Sequence, residues 1–337
     1  MTTLYLTEPQ TVVRYQNQTL KIEQSEKSTT CRLAEVDLIV ILPGVQLTDG
    51  AIAQLLDRGI ETIFLRRDGR FRGRLQGHFA TNPTVRLAQY RALDTTFGMA
   101  LAQRLILGKV RNQRYVLQRR NRDTGGRIGQ LTEAIDTIAS YLPRLKQTET
   151  PLDRDELMGV EGICARIYYQ ALTHWFPPEW KFGGRNRRPP RDPVNALLSW
   201  GYGVLLARIF AAGVQAGFDP YLGFFHAITP FRPNLVLDLM EEFRPVVVDR
   251  AAIALVNGGL IDPNDFEPAP GDEEGVWLGQ TVKKLYLGQL ERQFQDSILY
   301  PPQNRKLKLS QILLEQARSL GRCLVETRLD YEAFTLR

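Results

Sequence analysis

Cysteine is scarce. Cys31, Cys164 and Cys323 are the only three in 337 residues. Odd in number and far apart, they exclude a disulfide framework and a thiolate zinc cluster, and they fit a reducing, cytoplasmic setting. Histidine is equally rare, at His78, His174 and His226. Lysine is short as well: 34 of the 43 basic residues are arginine. The opening residues MTTLYLTEPQ lack the basic and apolar regions of a signal peptide. The longest apolar run, near 196–207, stops at Arg208 and reads as too short to span a bilayer, so no membrane partner is expected. No internal repeat or low-complexity segment is visible.

What is present is segregated charge. The net charge of +6 is mild, but between Arg104 and Arg127 eight basic residues face one acid, Asp123. KFGGRNRRPPR (181–191) carries five basic residues and no acid, and RRDGRFRGR (66–74) forms a third cluster. Acid gathers elsewhere, notably in DPNDFEPAPGDEE at 262–274. Arginine's planar fork suits phosphate, and separated charge of this kind points to a polyanion such as nucleic acid.

The pattern changes once along the chain. Residues 1–80 read as a β-rich domain, sandwich-like with one short helix. LYLTE alternates, VVRY and LKIE flank a polar turn, VDLIVIL (36–42) is a buried-strand run, and Asp68-Gly69 signals a hairpin between TIFLRR and RFRGRL. AIAQLLDRG, with Thr48 or Asp49 as cap, is the helix and ends at Gly59. GHFATNPT (77–84) reads as a hinge, with the linker at 81–84. From Val85 apolar residues recur at helical spacing to Leu117, and helices follow at about 129–146, 153–173, 193–215, 234–243, 245–256, 279–299 and 309–322. The fold class is therefore α+β, with a mostly helical domain at 85–337. Asp192-Pro193 is a cap followed by a first-turn proline, which leads the basic loop into a helix N-terminus.

Chemistry concentrates in three places. LVLDLMEEFRP (235–245) puts Asp238, Glu241 and Glu242 on one side of an apolar helix. That is either a solvated acidic face or half of a divalent-metal site, because like charges there repel unless a cation sits among them. Glu161 shares a helix face with Leu157, Cys164, Ala165 and Tyr168, and is flanked by Gly159 and Gly162. Two glycines beside a carboxylate suggest close approach of something, with a helix–helix contact as the alternative. His226 lies among aromatic residues ahead of the acidic helix. Such a histidine is either a hydrogen-bonded core residue or a ligand. Taken together, carboxylates with one imidazole suit Mg²⁺ or Mn²⁺ better than zinc, and such an ion stabilises charge on a scissile phosphodiester.

ELMGVEG, RNRRPPRDPVNALLSWGYGVL, GFDPYLGFFH and LVLDLMEEFRP, together with EVDLIVILPGVQLT and LLDRGIETIFLRRDGRFRGRL, resemble in order the blocks of CRISPR-associated protein one, the integrase family that inserts spacers into CRISPR arrays. The resemblance implies an N-terminal β-domain used for dimerisation and partner contacts, and a helical catalytic domain. It also implies a homodimer that assembles with a small second CRISPR-associated protein into a heterohexamer, acting on spacer-precursor and repeat DNA. Carried over by motif, Glu161, His226 and Glu241 would be metal ligands and Asp238 a neighbouring acid that assists or orients. Asn195 matches a position near the site, with a hydrogen bond to the histidine or a phosphate expected of it. Arg187, Arg188 and Arg191 are the first candidates for DNA contact; Arg119, Arg120 and Arg122 are the second, with a solvated helix face as the alternative. The implied reaction is attack of a DNA 3′-hydroxyl on a phosphodiester. A structure-selective repair nuclease using the same metal, or a non-catalytic DNA-binding scaffold, are the competing expectations.

Overall fold

The computed structural model describes residues 2–25, 27–77, 83–147, 149–186 and 189–336. Its first part contains β1 (Thr3–Leu6), β2 (Val12–Gln16), β3 (Thr19–Gln24), β4 (Lys27–Arg32), β5 (Leu38–Ile41), β6 (Gln46–Leu47), α1 (Asp49–Asp57), β7 (Glu61–Leu65) and β8 (Phe71–Leu75). Two four-stranded sheets form, ordered β1-β5-β7-β8 and β4-β3-β2-β6. They share a small core of Leu6, Val13, Leu20, Ile22, Ile39, Ile41 and Leu55. The first sheet is mixed: β1, β5 and β7 run parallel, and β8 closes it as the antiparallel arm of the expected hairpin.

The continuous apolar run of β5 follows from its position. Ile39 and Ile41 face the small core, while Leu38, Val40 and Leu42 join the main helical core on the other side. A strand buried on both faces shows no alternation.

The helical body comprises α2 (Thr84–Ala92), α3 (Thr96–Asp123), α4 (Gly129–Lys146), α5 (Arg154–Leu172), α6 (Pro193–Gln215), α7 (Asn234–Met240), a π-helical turn at Arg244–Asp249, and α8 (Arg250–Asn257). A hairpin of β9 (Phe266–Ala269) and β10 (Asp272–Leu278) precedes α9 (Gln280–Gln295). A second hairpin, β11 (Ser297–Tyr300) with β12 (Arg305–Lys308), precedes α10 (Leu309–Glu326). Of the expected caps, Asp192 accepts from Asn195 N at 2.8 Å with Pro193 in the first turn, whereas Thr48 stands before α1 without a side-chain capping bond, its hydroxyl donating instead to the Val13 carbonyl. At α5, Asp153 accepts from Glu156 N, also at 2.8 Å. Of the expected linker, residues 81 and 82 lie outside the described residues, as does His78, and α2 already begins at Thr84.

α6 corrects one expectation. At 23 residues it is long and apolar enough to cross a membrane by length and composition, but 83% of its most apolar window is buried inside the protein. It is apolar all round because it is the central helix of the body, touched by α7, α10, β10 and the first sheet. Arg208, which interrupts the run, is itself buried. Its guanidinium bonds the Tyr5 hydroxyl at 3.0 Å, pairs with Glu291 and lies 4.0 Å from the Phe294 ring centroid.

The sandwich is fastened to α6 by backbone contact. Gly69, at φ +84°, turns the β7–β8 hairpin directly against α6. A Cβ on Gly203 would stand 1.9 Å from the Gly69 carbonyl oxygen, and one on Gly69 would stand 2.9 Å from Trp200 Cα. Phe71 stacks on Phe210 beside this contact, with centroids 5.1 Å apart.

Candidate metal centre and nucleic-acid interface

Three elements deliver the central groups. The capped α5 carries Glu161, α3 carries Lys109, and the segment from His226 through α7 carries Asp238 and Glu241. None of the three acids at 238, 241 and 242 is solvated: all are buried, which removes the solvated-face alternative. Each has its own partners. Asp238 accepts from the backbone N–H of Phe224 and Phe225 at 2.6 and 2.9 Å, and from His226 N at 3.1 Å. Its Oδ1 also lies 2.6 Å from His226 Nδ1. That bond places a proton on Nδ1 and turns Nε2 toward Glu241, 4.0 Å from its Oε1. Asp238 is thus the residue that folds the 224–226 loop and aims the imidazole.

Glu161 and Glu241 meet at the ammonium of Lys109. Its Nζ donates to Glu161 Oε1 and lies 2.5 Å from Glu241 Oε2. Arg244 adds a second cation, with Nη2 3.3 Å from Glu241 Oε1 and the guanidinium over the Tyr202 ring. Burial opposes charge on Glu241, but Arg244, Lys109 and His226 outweigh it and hold its carboxyl down at about 2. Burial also acts against the Lys109 ammonium, yet Glu241 and then Glu161 drive its pKa upward. Glu241 and Lys109 therefore form a buried ion pair, with Glu161 on the other side of the same ammonium. Glu242 points the other way. Burial pushes its carboxyl up to about 7, although Tyr331, Phe334 N and Gln316 all donate to it.

The glycines flanking Glu161 have a clear disposition. A Cβ added to Gly159 or Gly162 would meet nothing within 4 Å, so no helix packs on the glycines themselves, although α5 packs on α3 and Glu161 meets Lys109 across that contact. Both are exposed beside a carboxylate that keeps 20% of its side-chain surface. The α5 surface at these two glycines is open. Behind it, Tyr168 and Tyr202 donate to the buried Asp249 at 2.8 and 2.5 Å, and Tyr169 bonds Tyr202 at 2.8 Å. Burial pushes the Asp249 carboxyl up to about 6.

As they lie, no three His, Cys, Asp or Glu groups among the described residues are grouped closely enough to share one ion. The chemistry of the set nevertheless fits a hard dication. Two carboxylates already meet at one cation, His226 Nε2 lies 4.0 Å from one of them, and the buried Glu241 Oε2 accepts no well-directed hydrogen bond.

The basic loop corrects the expectation for Asn195. Its amide is buried and fully engaged: Nδ2 donates to the Gly184 carbonyl at 2.8 Å and to Asp192 Oδ2 at 2.7 Å. Its Oδ1 accepts from Arg185 at 2.6 Å and from Asn186 N at 3.0 Å. Nothing is left for a phosphate or for His226, so Asn195 shapes the loop instead of touching DNA. Arg191 is partly exposed and pairs with Glu274 at 2.6 Å. Arg187 and Arg188 lie outside the described residues. Arg119 and Arg122 are exposed, whereas Arg120 bonds the His174 carbonyl at 3.0 Å and covers Trp175. A cleft of about 500 Å³ opens between α5 and the loop, lined by Arg166, Lys181, Arg185 and Arg191 with Tyr169 at its base. Lys109, Arg244 and Arg166 were not singled out from the sequence; in a chain so rich in arginine, only the fold distinguishes them.

Fold and site together define a class: an α+β protein equipped for phosphodiester chemistry on nucleic acid. Residues 4–292 match the family described as CRISPR associated protein Cas1. The whole chain is 35% identical, over 344 aligned positions, to the CRISPR-associated endonuclease Cas1 1 of Moorella thermoacetica, covering 99% of that protein. All of it also aligns with a chain of a Cas6-RT-Cas1–Cas2 complex at TM-score 0.84 and 26% identity, spanning 36% of that longer chain. A casposase bound to integration product shares the fold at TM-score 0.83 and 22% identity, covering 99% of this chain and 94% of that one. The chain belongs to the Cas1 family, the nucleases and integrases of CRISPR adaptation.

Proposed function

We propose that the chain is a metal-dependent DNA integrase that inserts spacer DNA into a repeat array and, with water in place of a 3′-hydroxyl, acts as an endonuclease. The observation that carries this reading is the convergence of Glu161 and Glu241 on one cationic centre, with His226 oriented beside it by Asp238. In the reaction the oxygen of a spacer 3′-hydroxyl bonds to phosphorus as the bond to the departing 3′-oxygen breaks. One proton leaves the attacking hydroxyl and one joins the departing oxygen, so no covalent enzyme intermediate is needed. Glu161, His226 Nε2 and Glu241 would hold Mg²⁺ or Mn²⁺, which when bound neutralises the charge that builds on the phosphate. Asp238 keeps the proton on Nδ1 so that Nε2 remains a ligand. Arg244 steadies Glu241, and the cleft of Arg166, Lys181, Arg185 and Arg191 holds the DNA backbone.

The partners follow the same reasoning. The relative in the Cas6-RT-Cas1–Cas2 complex supports a Cas2 partner for this chain, and the three dispersed cysteines favour a reducing cytoplasm. A homodimer formed through the β-domain (residues 1–80), assembled with Cas2 as a heterohexamer, is the arrangement we propose. The deciding experiment supplies a labelled DNA with free 3′-hydroxyls and a repeat duplex, with Mn²⁺ or with EDTA. Joined products that vanish in EDTA support the integrase. Cleaved products alone would reduce it to a nuclease, and DNA binding without either product would leave only a scaffold.

A further inference from the structure

The family match ends at residue 292, and the chain's last described stretch, 328–336, runs without helix or strand. It is nevertheless tightly held. Tyr331 and Phe334 are buried, and Phe334 stacks on Phe243 with centroids 5.3 Å apart at 15°. The Tyr331 hydroxyl bonds Glu242 Oε1, and Phe334 N donates to Glu242 Oε2 at 2.6 Å. Gln316 of α10 donates to that same oxygen at 2.9 Å and to the Tyr331 hydroxyl at 3.0 Å. From α3, Asn112 Nδ2 donates to the carbonyls of Glu242 and Phe334 at 2.7 and 2.8 Å, and its Oδ1 accepts from Leu336 N at 3.0 Å. Gly108, next to Lys109, makes the crossing possible: a Cβ there would stand 2.6 Å from Ala333 Cβ and 3.1 Å from Glu242 Cγ.

Every one of these anchors bears on Glu242 and Phe243 or on the part of α3 that carries Lys109. Glu241 sits where regular helix is lost: α7 ends at Met240 and the π-helical turn begins only at Arg244. A carboxylate on such a junction needs fixed points from outside its own helix, because the ordering entropy of the junction is otherwise uncompensated. An irregular tail that spends its hydrogen bonds on these two residues supplies them.

We propose that residues 328–336 form a strap that positions Glu241 toward Lys109 and His226 by clamping Glu242 and Phe243. Tyr331, Phe334 and Glu242 are then positioning residues of the centre assigned above, and the inference rests on that assignment. The test uses the full chain with Tyr331→Phe and, separately, Phe334→Ala. Three quantities are measured: affinity for Mn²⁺ alone by titration calorimetry, affinity for duplex DNA, and the rate of strand transfer. Loosening the residues that follow Glu241 should weaken Mn²⁺ binding and slow transfer by about tenfold, the low end of what loss of a ligand's own outer partner costs, with DNA affinity unchanged. A chain ending at Thr327 should show a larger loss, and a synthetic peptide of residues 328–337 added in trans should restore Mn²⁺ binding saturably.

Normal Mn²⁺ affinity and transfer in both point variants, with Glu241→Ala inactive, would overturn the strap. So would a parallel fall in DNA affinity, since that marks general damage to the fold. Should the shortened chain not fold, the two point variants decide alone. Should Glu241→Ala remain active, the assignment of the centre itself fails, and the strap's role falls with it.

Discussion

Replacing Lys109 by methionine probes the centre without touching a carboxylate or the histidine. The ammonium bridges Glu161 and Glu241, so its loss leaves two carboxylates without their shared counter-ion. Breaking a buried ion pair on one side costs about 3–5 kcal/mol. Here the lower end applies, because Glu161 is partly solvated and Glu241 keeps Arg244 at 3.3 Å. For a chain of 337 residues about 3 kcal/mol corresponds to roughly 4 °C in Tm. The pH dependence has a definite sign. Glu241, held at about 2 against an ordinary 4.5, contributes stability that is present above pH 4.5 and is lost as pH falls toward 2. Lys109→Met should shrink that contribution, so the variant loses less stability on acidification than the unaltered protein. Mn²⁺ should raise the variant's Tm more than the parent's, because no ammonium competes for the carboxylates; saturation a hundredfold above Kd is worth about 2.7 kcal/mol. The assay is a thermal melt in EDTA across pH 2–8, and in Mn²⁺ at neutral pH. A variant that melts like the parent in EDTA, or gains no more than the parent from Mn²⁺, would refute the reasoning.

Three further expectations follow from separate parts of the molecule. Asp249, raised from 3.8 to about 6 by burial, keeps a proton in the fold that the unfolded chain releases, so its ionisation costs about 3 kcal/mol as pH rises through 4–6. Asp249→Asn should flatten that fall in stability, as read by urea unfolding at pH 4, 5, 6 and 8; an unchanged slope would contradict the assignment. Gly203→Ala drives a methyl into the Gly69 carbonyl and should cost about 3 kcal/mol or separate the sandwich from α6, seen as a lower or split melting transition. Arg191→Ala should reduce the slope of log K against log salt for duplex DNA by about 0.9 if Arg191 contacts a phosphate; an unchanged slope would make it ordinary surface paired with Glu274.

Much of the fold was legible because its signals are local. α4 and α6 begin and end where periodicity, the Asp192-Pro193 start and the following turn place them. The break between α2 and α3 was not legible, since no proline or glycine marks it. The chain turns at Asp94 with φ +55°, and Thr95 caps α3 by accepting from Gly98 N. β9 and β10 were missed because their acidic, proline-bearing stretch shows no apolar alternation. β11 was read as the end of α9 because Ile298, Leu299 and Tyr300 continue the apolar run. At the site, Glu161, His226, Asp238 and Glu241 carry distinctive residue types in distinctive surroundings. Lys109 does not: among eight basic residues of one stretch, only tertiary contact picks out the one that enters the centre. Asn195 was given the wrong partners, since the loop that saturates its amide folds back only in three dimensions.

Counting Mn²⁺ bound per chain by electron paramagnetic resonance, alongside strand transfer on the same samples, tests the central assignment most directly. One ion per chain is predicted for the unaltered protein. Glu161→Ala, His226→Ala and Glu241→Ala should each lose that ion and the joined product together while still binding duplex DNA. Undiminished Mn²⁺ binding and strand transfer in all three would contradict the account.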